Sequence, residues 1–583
     1  MKRRISPNVL LISISLLISG CGTEMDHTHH VDTPMAQDSK SWDDFVDRFL
    51  EETFQAHPNF AVVQGRHEFD GKFPDWSAAG IAAEIARLHA ARDEAEEFDQ
   101  AGLSAHQGFQ REYVIAVIDR ILFWLETAEW PFRNPAFYFD WTLDSLDPNV
   151  YIAREYAPPG DRARSFIAYA NGLPAVADQI IANLRTPLPL SYVDFGVATF
   201  GGLSSYFEND LSTAFGDLSD PALQSSFDRA RITASEAMRR VADWLELQRA
   251  EATGDFAIGG EMFGQMVAET EGIDVGLDEL RAIGETDLQR NLTALHDACA
   301  AFAPAASIRE CVNRIHADKP KGGAVQGARD QLQVLRGFLA REDLVSIPEA
   351  EEALVREAPP YMRSNSAYID IPGPYEKSLP SIYYIAPPDP NWSKEEQLAY
   401  VPGKSDLLFT SVHEVWPGHF LQFLHANRSN DVFGRVFIGY AFAEGWAHYS
   451  EEMMWEAGLG DGDPAVHIGQ LLNALMRNVR YLSAIGLHTG TMTVEESEEM
   501  FREKAFQDPG NARQQASRGT YDPGYLNYTM GKLMIRKLRA DWTSRRGDRL
   551  SWKAFHNRLL SFGGPPVPLV RRAMMVSDEG ALF

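Results

Sequence analysis

The chain has 583 residues, 45% of them hydrophobic, which is ample for large buried cores and more than one lobe. That balance excludes a disordered chain. The formal net charge of −28 repels phosphate backbones, so nucleic acid is excluded as a partner.

The opening stretch, MKRRISPNVLLISISLLISGC, has Lys2, Arg3 and Arg4, then a short apolar run, then small residues before Cys21. This is the layout of a secretory signal over residues 1–20. The run from Val9 to Gly20 is too short to span a bilayer, which needs about 20 apolar helical residues. Ile18-Ser19-Gly20-Cys21 also resembles the bacterial lipobox, in which cleavage before the cysteine leaves its thiol to be lipidated. The alternative is an ordinary cleaved signal with an incidental cysteine. Gly22 after Cys21, rather than aspartate, points by the usual lipoprotein rule to the outer membrane, facing the periplasm. Residues 21–40 are polar and unpatterned, as expected of a tether, and His27, His29 and His30 read as part of that solvated tail.

Helical periodicity begins at SWDDFVDRFLEETFQAHP, where Trp42, Phe45, Phe49, Leu50 and Phe54 recur before Pro58. Similar patterns follow through SSFDRARITASEAMRRVADWLELQ, so a helical amino-terminal lobe is expected over 41–365. Cys299 and Cys311 flank Pro304, so two helical turns folding back on each other can bring them together, and an exported compartment permits the bond. A loop of that size is stabilised by roughly 3 kcal/mol in the chain-entropy account. Two buried thiols are the other reading.

Strand signals are confined to SAYIDIPG (366–373) and SIYYIAPPD (381–389), both ended by Pro or Gly. They precede the stretch richest in chemistry, and an extended strand beside a cleft can pair with a peptide backbone. GLGDGDP (458–464) lacks the full ligand set of a calcium loop and reads as a turn.

HEVWPGHF (413–420) starts like the zinc-protease helix HExxH but carries Pro417 where the second histidine belongs. On an ideal helix His413 and His419 point roughly 120° apart. Pro417 and Gly418 supply a break that can swing His419 back beside His413. Catalytic zinc takes three protein ligands, and FAEGWAHYSEEMMWEAG offers Glu444, His448 and Glu451 on one helical face. Two histidines from one helix and Glu444 from the next make the expected ligand set.

At these residues the sequence resembles a bacterial family catalogued as domain of unknown function 885, itself similar to gluzincin zinc peptidases. The family pattern HExxPGHxxQ is met by His413, Glu414, Pro417, Gly418, His419 and Gln422, and EGWAxYxE by Glu444, Gly445, Trp446, Ala447, Tyr449 and Glu451. IGLHTGTMTVEES (485–497) and YDPGYLNYTMGKLMIRKLR (521–539) look like two further family stretches, and the resemblance runs over essentially the whole body of the chain.

The resemblance implies one Zn2+ held by His413, His419 and Glu444, with Glu414 as general base. It implies an orienting role for Glu451 or Gln422. Tyr528 and His488 are the candidate oxyanion donors, the other readings being an amphipathic core residue for Tyr528 and a satisfied helix-end histidine for His488. Tyr525 stands where the family commonly has Gln and is an alternative donor. His448 replaces an apolar residue and either contacts the metal site or packs.

The expected fold is therefore mainly α, a large helical gluzincin-like body with a few short strands bordering the cleft and a catalytic lobe over 366–583. The expected function is zinc-dependent hydrolysis of peptide bonds at the cell envelope, with membrane contact through the lipid anchor alone. A non-catalytic peptide-binding lipoprotein and a metal-dependent hydrolase of other amides or esters are the competing readings. Cleavage position and oligomeric state stay open.

Overall fold

Trp42, Phe45, Phe49 and Phe54 line the buried side of a helix over Trp42–Ala56, and their spacing is what commits this segment to an amphipathic helix. The computed structural model describes residues 41–583 apart from 141–142, 216–217, 349–350, 360–361, 364–365, 377 and 576–579. The signal over 1–20, Cys21 and the tether to residue 40 lie outside the described residues. Residues Trp42–Phe583 form one compact unit. Among the described residues no helix is long and apolar enough to cross a membrane.

The architecture is mainly α. Three long helices, Pro159–Asn183, Leu190–Asn209 and Pro221–Gln248, pack on one another. Phe166 contacts Phe207 and Phe227 between them, with ring centroids 6.1 and 5.3 Å apart. Asp220 caps the third helix by accepting from the Ala222 and Leu223 amides, with Pro221 at the first helical position. Farther along, Cys299 and Cys311 are joined by a disulfide where the helix Leu277–Phe302 turns into Ile308–Ala317.

Among the described residues the strands form one small sheet in the order β1-β3-β2. β3 (Ile382–Ile385) is central, parallel to β1 (Leu354–Glu357) and antiparallel to β2 (Ala367–Asp370). β2 and β3 fall in the two expected runs. β1 carries no such signal: of Leu-Val-Arg-Glu only Val355 is buried, so its extended conformation comes from pairing with β3.

Side chains from both sides of residue 365 meet in the core. Trp42 donates to Gln110, which donates to Asp431, at 2.6 and 2.7 Å. Lys532 reaches Asp287 at 2.6 Å.

Four helices position the site: Lys404–Glu414, Tyr440–Glu456, Pro464–His488 and Asn527–Thr543. The Tyr440 and Asn527 helices cross at a pair of glycines. A Cβ on Gly445 would lie 2.5 Å from the Gly531 backbone, and one on Gly531 would lie 1.9 Å from the Ala441 carbonyl. With no side chain at either place the backbones touch, and Glu444 on one helix comes to face Tyr528 on the other.

Candidate metal centre

The helix carrying His413 stops at Glu414, and a new helix starts at His419. Sequence reasoning expects both histidines on one helix broken at Pro417 and Gly418; instead they belong to separate helices joined by a tight turn. The Gly418 amide donates back to the Val412 carbonyl at 3.0 Å. That return is so close that a Cβ on Gly418 would lie 1.7 Å from the His413 carbonyl oxygen, so only glycine fits. The Trp446 indole N–H donates to the Pro417 carbonyl at 2.9 Å and locks the turn onto the helix that bears Glu444.

The turn delivers convergence. The His413 and His419 rings stand nearly perpendicular, 87°, with centroids 4.8 Å apart. His413 Nε2 lies 3.1 Å and His419 Nε2 3.3 Å from the same Glu444 oxygen, Oε2. Three ligand atoms around a tetrahedral zinc with ~2.0–2.1 Å bonds stand roughly 3.3 Å apart, so these two separations match that geometry. The donor set, two imidazole nitrogens and one carboxylate oxygen, suits zinc. Among the described residues these three are the only group of His, Cys, Asp or Glu so gathered.

Behind the cluster, His413 Nδ1 donates to Glu451 Oε1 at 2.8 Å. In the tautomer protonated at Nδ1 this contact leaves the Nε2 lone pair directed at the cluster; the Arg477 guanidinium also lies 3.1 Å from Nδ1. Glu451 is itself held by Arg477 at 3.1 Å and by His448 Nδ1 at 3.3 Å. His448 thus supports Glu451 and stands one residue removed from the ligands. Gln422 is not brought to them: it is fully buried, neither of its amide atoms is hydrogen bonded among the described residues, and it does not line the cavity.

The charges follow from burial and pairing. Burial favours the neutral acid at Glu444, but His419 and His413 outweigh it and hold the carboxyl well below its ordinary range. At Glu451 burial is likewise overcome, first by Arg477 and then by His448 and His413, and its carboxyl is also held low. Burial is the largest influence on His448 and pushes it down to about 3, so it is neutral.

Glu414 and Tyr528 line the cavity with His413, His419 and Glu444. Glu414 is buried, and its carboxylate makes no hydrogen bond or ion pair among the described residues. Burial pushes its pKa upward, partly offset by His413 and His419. The Tyr528 ring stacks on His413 with centroids 6.2 Å apart, and burial, followed by Glu444, raises its pKa, so the phenol keeps its proton.

Tyr525 and His488 stand elsewhere. Tyr525 is fully buried with its hydroxyl packed against Gly519, where a Cβ would come within 2.2 Å of it, and it does not line the cavity. His488 is fully buried between Phe256 and Phe263, with Nε2 donating to the Gly519 carbonyl at 2.8 Å. The catalytic role expected of His488 is corrected by this placement: its Nε2 is bound to backbone and it does not line the cavity that holds His413, His419 and Glu444. Burial holds it neutral, with a pKa near 4.

Sequence reasoning missed Arg477 and Arg480. The available signal was their position: three residues apart in the helix Pro464–His488, where every other residue from 477 to 488 is also buried. Charges in such a helix call for a partner or a function.

Comparison with other proteins gives a consistent fold and no activity. The family described as "Bacterial protein of unknown function (DUF885)" matches residues 58–574. A "putative lipoprotein of unknown function" from Shewanella oneidensis is similar at a TM-score of 0.74 and 23% identity, over 92% of this chain and 100% of that one. A "putative lipoprotein" from Colwellia psychrerythraea is similar at a TM-score of 0.77 and 17% identity, over 91% and 98%. No protein with a curated description matches. A "putative oligoendopeptidase F" from Bacillus anthracis str. Ames aligns at a TM-score of only 0.28 and 12% identity, over 85% and 93%, which is too low to support a shared fold.

Proposed function

The chain belongs to the DUF885 family of bacterial proteins of unknown function, and on that premise we propose that it is a zinc-dependent hydrolase that cleaves peptide bonds. The observation that carries the reading is the convergence of His413, His419 and Glu444 beside an unpaired, buried Glu414 carboxylate. Zinc held by those three residues supplies a Lewis acid that polarises a carbonyl and lowers the pKa of water toward neutrality.

The remaining work falls to the protein. Glu414 takes a proton from the attacking water and returns it to the departing amine, and a buried carboxyl with a raised pKa is suited to both transfers. Tyr528, protonated and facing the same cavity, is the hydrogen-bond donor for the oxyanion that forms at the carbonyl. Glu451 keeps His413 in the tautomer that presents Nε2. β2, which lines the cavity at Ala367–Asp370, offers an edge along which an extended peptide can lie.

Cys21 is read as the lipidated terminus that tethers the enzyme to the cell envelope, at the outer membrane facing the periplasm. The lipobox-like residues support this, as do the descriptions of the two structural relatives as lipoproteins.

Metal analysis of the purified protein together with Glu414→Gln tests the proposal. One zinc per chain is expected in both proteins, with peptide hydrolysis lowered on the order of 10²–10⁴-fold in the variant. A metal-free wild type, or a variant as active as wild type, would sink it.

A further inference from the structure

Three guanidinium groups face the Tyr528 ring. Those of Arg480, Arg477 and Arg518 lie 4.9, 5.8 and 6.0 Å from its centroid. Two are neutralised: Arg477 by Glu451 at 3.1 Å and Arg518 by Asp522 at 2.8 Å. Arg480 is not. Among the described residues its one hydrogen bond runs from Nε to Gln515 Oε1 at 2.8 Å, although the residue is only 7% exposed. The cations that act on it most strongly, Arg518 and Arg477, make its isolation worse. A buried cation without a directly bound anion is unfavourable: the Asp522 carboxylate that acts on Arg480 is itself paired with Arg518, and the four Nη hydrogens of Arg480 have no acceptor among the described residues. Arg480 lines the same cavity as the metal cluster.

We propose that Arg480 binds a carboxylate of the substrate, namely the C-terminal carboxylate of a peptide, so that hydrolysis removes one or two residues from the C-terminal end. The proposal rests on the hydrolase reading for its reaction and on Arg480 alone for its substrate class. The spacing comes from Tyr528: the Arg480 guanidinium lies 4.9 Å and the His413 ring 6.2 Å from the centroid of its ring, so the two stand within a short peptide end of each other. An extended residue spans ~3.3–3.6 Å, so one or two residues fit between the anchored carboxylate and the carbonyl attacked at the cluster. In the reaction the C–N bond breaks, the hydroxyl of water adds to the carbonyl carbon, and its proton passes to the departing amine. Arg guanidinium binds carboxylate through paired N–H donors, which a neutral terminal amide cannot replace.

The test uses one peptide in three forms with the zinc-loaded protein: free acid, C-terminal amide, and C-terminal amide with glutamate as the last residue. Wild type is expected to cleave the free acid with a kcat/KM on the order of 10–100-fold above the plain amide, carried by KM. Arg480→Met erases that ratio and Arg480→Lys restores part of it. The acid-to-amide comparison on wild type needs no variant, so a folding defect in Arg480→Met does not blur the answer. A glutamyl amide that performs as well as the free acid overturns the terminal assignment in favour of a side-chain carboxylate.

Calorimetric binding of the same peptides to the Glu414→Gln protein separates the two proposals. Preference for the free acid without any hydrolysis by wild type keeps the Arg480 site and defeats the hydrolase reading. Hydrolysis with equal rates and affinities for acid and amide does the reverse.

Discussion

Two buried histidines of this protein each stand between two carboxylates at almost the same distances. His57 meets Asp144 at 2.5 Å through Nδ1 and Glu84 at 3.0 Å through Nε2. His413 meets Glu451 at 2.8 Å through Nδ1 and Glu444 at 3.1 Å through Nε2. The difference lies in the surroundings of the Nε2-side carboxylate. Glu84 is also bound by Arg87 at 2.7 Å, and Asp144 accepts the Phe60 amide, so each anion of the His57 cluster is satisfied and nothing is left for a ligand. Glu444 is instead shared with a second imidazole on an open cavity. A histidine flanked by carboxylates is therefore not a metal site by itself. A third donor converging on the same point, with room beside it, makes the distinction.

The strongest way to break the comparison is to exchange the two roles. His413→Ala is expected to abolish stoichiometric zinc, while His57→Gln retains one zinc per chain; metal analysis of both variants decides it. Equal zinc in the two would leave the distinction without content.

His57→Gln should instead unfold more easily, by about 3–5 kcal/mol, because breaking one side of a buried ion pair strands the other charges. Its pH dependence gives the sharper form. Burial, the largest influence, opposes charging His57, but Asp144 and Glu84 outweigh it and raise its pKa from 6.5 to about 9. The folded state thus holds the proton more tightly than the unfolded state. The stabilisation is complete below pH ~6.5 and is lost as pH rises through 9, a change of about 3 kcal/mol. Glu84 acts in the opposite range: held down to about 2, its contribution is present above pH 4.5 and lost as pH falls toward 2. Melting curves of wild type and His57→Gln should therefore differ most between about pH 4.5 and 6.5 and converge toward pH 10.

At the candidate metal centre the corresponding partner is Glu451. Glu451→Gln is expected to weaken zinc about 10–100-fold while leaving one site per chain, measured by competition with a chelator. The smallest effect expected is at the helix crossing: Gly445→Ala should lower stability by about 1–3 kcal/mol, with a Cβ forced against the Gly531 backbone. A Gly445→Ala protein as stable as wild type would mean that the two helices can part without harm.

The grouping of His413, His419 and Glu444 was legible because it rests on local chemistry. Histidines either side of a Pro-Gly break, and an acidic helix face soon after, state which groups are present and where the chain must bend. Two of the strands were legible for the same reason, since Ala367–Asp370 and Ile382–Ile385 carry aromatic or β-branched runs. What spacing cannot tell is which side of a buried helix meets which neighbour. Gln422 stands on a family pattern, yet it reaches neither ligand. His488 was read as a donor to the reaction and is bound to the Gly519 carbonyl. Arg480, like Arg477 a cation within a buried helix, drew no notice until it was seen to make no ion pair among the described residues.

By itself, then, the sequence determined a mainly helical chain, the break at Pro417 and Gly418, and the residue types His, His and Glu that suit zinc. The tertiary structure alone decided that His413 and His419 sit on separate helices, that Tyr528 rather than Tyr525 faces the cluster, and that Arg480 is left unpaired in the cavity. The reason is physical: periodicity records the burial of one face of a helix, whereas a site is made where several helices meet. Those crossings depend on contacts such as Gly445 with Gly531, between residues far apart in the chain.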